Sequence, residues 1–152
     1  MKMPKIKQTV ESKVDDVLLQ INLPLYVTLP RKRVKSKRFA LNLNIYRNTH
    51  FQVLNQAKKI FAYHVKSYLT SVCFSKPYIN VPVVLEYTLY RQNKRTIDLS
   101  NVISVIDKFT QDVLVDMGIL RDDSVDYIKR ISFEFGGIDK DSPRCELRIK
   151  SY

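Results

Sequence analysis

Apolar residues along this chain recur now at every second position, now at every third or fourth, and the changes of period divide it into elements. Residues 17–29 are rich in Leu, Ile and Val with alternating stretches such as Ile21-Asn22-Leu23, which predicts a first strand. Phe39, Leu41, Leu43 and Ile45 alternate with Ala40, Asn42, Asn44 and Tyr46, which predicts a short second strand. From 48 to 70 the apolar positions Phe51, Leu54, Ala57, Ile60, Phe61, Val65 and Tyr68 follow helical spacing, with Asn48 or Thr49 as cap. Pro77 closes the next loop, and the β-branched and aromatic run 81–90 predicts a strand. A second helix spans 101–117 and stops at Gly118. Alternation returns over 127–135, Gly136-Gly137 opens a turn, and Cys145, Leu147 and Ile149 mark a final antiparallel strand in a terminal hairpin. The order β-β-α-β-α-β-β predicts an α+β fold, a mixed sheet with two helices packed on one face.

On a helical wheel, Val102, Ile103, Ile106, Phe109, Val113, Leu114 and Met117 share one broad arc, interrupted only by Thr110. Asn101, Lys108 and Asp112 fall together on the opposite side. Taken alone, that stripe is a solvated face with a Lys108–Asp112 ion pair four residues apart, worth a few tenths of a kcal/mol.

The chain length of 152 residues fits a single domain over 1–152, with a polar, basic tail over 1–13. Charge changes the picture more than size does. Lys and Arg number 26 against 15 Asp and Glu, a net +11, and six of the eight residues from Arg31 to Arg38 are basic. Such an excess selects polyanionic partners, nucleic acid first. Arg31, Lys32, Arg33, Lys35, Lys37 and Arg38 are the predicted phosphate contacts, with Lys94 and Arg95 in a second basic turn. No apolar run reaches the ~18 residues of a membrane span. Two cysteines, Cys73 and Cys145, make no disulfide framework, and with His50 and His64 they make no zinc motif, so a reducing, cytoplasmic setting is expected.

Against this basic background three aspartates stand out. Asp98 precedes the second helix, and Asp122-Asp123 follow it after a short link. Adjacent carboxylates repel unless a cation shares them. The runs Asp98-Leu99-Ser100-Asn101, Lys108-Phe109-Thr110-Gln111-Asp112-Val113-Leu114 and Gly118-Ile119-Leu120-Arg121-Asp122-Asp123 resemble the signature of RusA-type Holliday-junction resolvases. The resemblance is closest over 98–135. It implies a homodimeric, Mg2+- or Mn2+-dependent endonuclease that nicks four-way junctions or related branched DNA. It further implies Asp98 and Asp123 as primary metal ligands, Asp122 as a second ligand, and Lys108 as a charge on the scissile phosphate. Ser100, Asn101 and Asp112 are implied in support. Two departures accompany the likeness. Ser100 stands where the family pattern has a second acidic residue, and Asn101 lies seven residues before Lys108 where the family gap is shorter. A binding protein derived from such a nuclease, without catalysis, is the alternative.

Overall fold

The computed structural model describes residues 16–33, 35–72 and 78–152; the expected tail, Cys73 and Pro77 lie outside them. The described elements are β1 (Val17–Leu23), β2 (Tyr26–Leu29), β3 (Lys37–Ala40), α1 (Leu43–Arg47), α2 (Phe51–Val72), β4 (Val83–Arg91), α3 (Leu99–Asp116), β5 (Ile128–Ile138) and β6 (Arg144–Ser151). The fold is α+β. Four strands form a mixed sheet in the order β1-β6-β4-β5, and β2 and β3 form a separate two-stranded ribbon.

One face of the sheet is the core wall. Ile21 and Leu23 of β1, Leu85, Tyr87 and Leu89 of β4, and Cys145, Leu147 and Ile149 of β6 are all buried on it at alternate positions. Helices α2 and α3 cover that face, joined by Phe61 and Phe109 packed edge to face at 5.6 Å. The other face is polar: Glu86 holds Lys150 at 2.9 Å and Arg130 at 3.8 Å.

Several expectations require correction. The first strand is interrupted: Pro24 lacks an N–H for a ladder, and the chain bends into β2. The predicted second strand is shorter and earlier. It takes in Lys37 and Arg38 and ends at Ala40, after which Asn42 accepts the Ile45 N–H at 2.9 Å and starts α1. Leu43 and Ile45 therefore pack from a helix. Neither Asn48 nor Thr49 caps α2; Asn48 ends α1, and both side chains donate back to its carbonyls.

Gly136-Gly137 does not turn. The β5 strand runs through both as a bulge, where Leu89 opposes Phe135 and Tyr90 opposes Gly137. A Cβ on Gly136 would lie 2.6 Å from the Thr88 methyl and 2.7 Å from the Tyr90 ring, so the missing side chain lets the strand pass. The turn comes at Asp139, whose carboxylate accepts the N–H groups of Asp141 and Ser142. Nor is there a terminal hairpin. Strand β6 lies between β1 and β4, antiparallel to both, while β5 pairs with β4 in parallel.

Candidate functional site

Helix α3 organises the candidate residues, and both its ends are sharply built. At the C-terminal end Gly118 adopts φ +70°, the Gly118 N–H reaches Val115 and the Ile119 N–H reaches Leu114, a Schellman stop sealed by buried Ile119 and Leu114. At the N-terminal end Asp98 is extended (φ −86°, ψ 127°) and its carbonyl accepts the Asn101 N–H at 3.1 Å. The exposed Asp98 carboxylate makes no capping hydrogen bond. It is left available to a ligand at the positive end of an 18-residue helix.

Beside it is a cavity of about 520 Å³. Asp98 and Asn101 line it from α3, Arg38 from β3, Arg91 from the end of β4, Tyr26 from β2, and Asn42 from the cap of α1. The Arg38 guanidinium lies over the Tyr26 ring at 3.7 Å. Stacking of this kind occupies the flat face and leaves the N–H edge free for carboxylate or phosphate oxygens. Arg91 donates to the Arg95 carbonyl, which shapes the turn carrying Lys94 and Arg95, both exposed. Arg31, Lys32, Arg33 and Lys35 are exposed between β2 and β3, so that ribbon is a basic arm rooted at the cavity through Arg38.

The other predicted residues are elsewhere. Asp122 and Asp123 follow the opposite end of α3, and 18 residues at about 1.5 Å each separate the two ends by roughly 27 Å. The expected convergence of Asp98, Asp122 and Asp123 within one chain is therefore not found. Among the described residues no group of three or more His, Cys, Asp or Glu side chains could hold a metal ion. Asp122 instead accepts the Asp123 N–H at 2.9 Å, and hydrogen bonds from Ser124 and then Asp123 draw its pKa below the usual carboxylate value. Ser100 accepts from the Ser104 hydroxyl through its carbonyl. Lys108 and Asp112 are exposed near mid-helix, and the expected ion pair between them is absent from the ion pairs of the described residues. Asp112 borders a groove between α2 and α3 beside Lys58, Lys59 and Lys66, the last bound to Asp116 at 2.6 Å.

Asp107 has a different employment. It accepts the Tyr87 hydroxyl and the Gln111 amide, each at 2.7 Å, and burial raises its pKa. Through this bond α3 is tied to the middle of β4. Sequence reasoning missed Arg91, Tyr26 and Asn42 as cavity residues. Arg91 alone left a trace, as the last residue of a strand that runs into a basic turn.

Compared with known proteins, the chain matches no family model and no curated protein.

Proposed function

We propose that this protein is a structure-selective endodeoxyribonuclease of the RusA type, nicking four-way junctions or related branched DNA as a homodimer with Mg2+ or Mn2+. The observation that carries the reading is the cavity at the start of α3. It joins Asp98 and Asn101, from the motif that suggested the family, to Arg38 of the basic run and to Arg91. Two guanidinium groups and a helix N-terminus suit a phosphodiester, and a carboxylate without a cap bond suits a cation between them. The net charge of +11 and the basic arm supply the sequence-independent attraction to DNA.

Among the described residues the donors of a single chain do not fit a divalent ion, because Asp98 is separated from Asp122-Asp123 by the whole of α3. Metal-dependent cleavage on this reading needs carboxylates from a second chain, in line with the dimer that a two-fold junction calls for. The same observation favours one alternative, a branched-DNA- or RNA-binding protein that has kept the basic surface without the chemistry.

A nicking assay on a synthetic four-way junction, with Mg2+, with Mn2+ and with chelator, decides between them. Paired nicks are expected with metal only, lost in Asp98→Asn while junction binding persists. Tight binding by the parent without cleavage in either metal would establish the binding-only reading. Cleavage by Asp98→Asn at the parent rate would remove the site.

A further inference from the structure

We infer that the β5 edge of the sheet is a homodimer interface, in which β5 pairs antiparallel with β5 of a second copy about a two-fold axis through Ser132. Among the described residues β5 pairs only with β4, which leaves an 11-residue strand with one edge of backbone donors and acceptors open. Soluble proteins generally shorten, cover or disrupt such an edge. Here the interior is not disrupted. Register shifts fall near its two ends, between Ile128 and Arg130 and between Phe135 and Gly137, and the ladder from Arg130 to Phe135 is regular.

The occupant is written in the order of side chains. A two-fold axis perpendicular to the sheet keeps each face on its own side, so one residue must oppose itself and its neighbours oppose in mirror order. With Ser132 at the centre, Arg130 opposes the partner's Glu134 and Glu134 the partner's Arg130, on the polar face. Ile131 opposes the partner's Phe133, and Phe133 the partner's Ile131, on the helical face. Like charges and mismatched faces are avoided throughout, and a β-branched residue meets an aromatic ring twice. Centring the axis on Ile131 or Phe133 would set neither charge against its opposite.

The side chains are also free to do this. Arg130 is 63% exposed and reaches Glu86 only at 3.8 Å, while Glu86 is held closer by Lys150. Glu134 is exposed and enters no ion pair among the described residues. On the helical face Ile131 and Phe135 remain 40% and 51% exposed although they oppose the buried Leu85 and Leu89. A second copy would cover both. Neither a helix nor a foreign strand would reproduce the reciprocal charge order, so a copy of this chain is the partner that fits.

The pairing stands apart from the nuclease reading, but it has a consequence that rests on that reading. Helix α3 connects two parallel strands and so runs against β5. Reversing β5 across the axis brings the start of one α3 and the end of the other to the same end of the joined sheet. Asp98 and the partner's Asp122 and Asp123 then share that end.

Sedimentation equilibrium of the full chain tests the interface independently of any cleavage. The parent is expected to be dimeric. Arg130→Glu and Glu134→Arg each set like charges across the axis twice, and each is expected to weaken dimerisation by about tenfold or more. An equimolar mixture of the two variants restores both pairs and is expected to dimerise like the parent. Both sites are exposed, and circular dichroism is expected to show each variant folded. A parent that is monomeric or forms open fibrils, or variants that dimerise as well alone as mixed, would overturn the inference.

Discussion

The bond between Tyr87 and Asp107 should set much of the stability of the α3–β4 contact, and its size can be worked out from the surroundings. Tyr87 is 1% exposed and its hydroxyl donates to Asp107 at 2.7 Å. Asp107→Ala leaves that hydroxyl buried without its acceptor, a loss of about 2–3 kcal/mol when desolvation and a charge-assisted bond are both counted. Tyr87→Phe removes the donor but leaves Asp107 the Gln111 amide, so about 1.5 kcal/mol is expected. The double variant should be little worse than Asp107→Ala, a coupling of about 1–1.5 kcal/mol. Burial is the first cause of the raised Asp107 pKa, the hydrogen bonds from Gln111 and Tyr87 opposing it. A carboxyl whose folded pKa lies above its unfolded value near 3.9 holds the proton more tightly when folded. Its stabilising contribution is complete below the unfolded value and is lost as pH rises through the folded one. Asp107→Asn keeps an acceptor for both donors and carries no charge, so it should be at least as stable as the parent at pH 7, with its advantage shrinking toward pH 4. Urea unfolding of the five proteins at pH 7, and of parent and Asp107→Asn down to pH 4, measures all of this. Additive single-variant effects would refute the bond as a coupled unit, and an Asp107→Asn advantage that grows on acidification would refute the assigned cause.

Other consequences are quicker to check. Gly136→Ala drives a methyl into Thr88 and Tyr90 and should cost about 1–3 kcal/mol by the same unfolding measurement. Burial pushes the Cys145 thiol up to about 12, so in a Cys73→Ser background a disulfide reagent should react only as the protein unfolds. Replacing Arg31, Lys32, Arg33 and Lys35 with Ala should flatten the salt dependence of junction binding, by about 0.9 in log–log slope for each phosphate that the arm no longer neutralises; an unchanged slope would place the DNA elsewhere. If the two acidic ends of α3 meet only between chains, a mixture of Asp98→Asn and Asp123→Asn proteins should regain nicking that neither shows alone.

What could be read from the sequence depended on how local the cause was. Helix α3 was legible because its core arc and the glycine at its end are properties of the segment itself, and the structure buries Ile103, Ile106, Phe109, Val113 and Leu114 as the wheel requires. Leu43 and Ile45 misled because a few alternating residues suit a strand as well as one helical turn, and the Asn42 side chain decided between them. The partnership of β6 with β1 and β4 was not legible, since strand order depends on pairings between segments far apart in sequence. The site was legible as a set of chemical types, but distance was not. Asp98 and Asn101 lie with Arg38 in one cavity, an association no spacing rule predicts, whereas the two acidic ends of one rigid helix cannot approach each other within a chain.

The position of β1 has a consequence for how the protein is made. Leu19 pairs with Ile149 and Leu23 with Cys145, so β1 finds its hydrogen-bonding neighbour only after every other strand has been made and β6 has been synthesised. Until then Ile21 and Leu23 have no β6 to pair with, and long-range pairings of this sort are slow to close. Newly made chains should therefore pass through a stage in which β1 is unzipped and open to chaperones, and substitutions in β6 should reduce yield through that stage more than their effect on the finished fold would suggest.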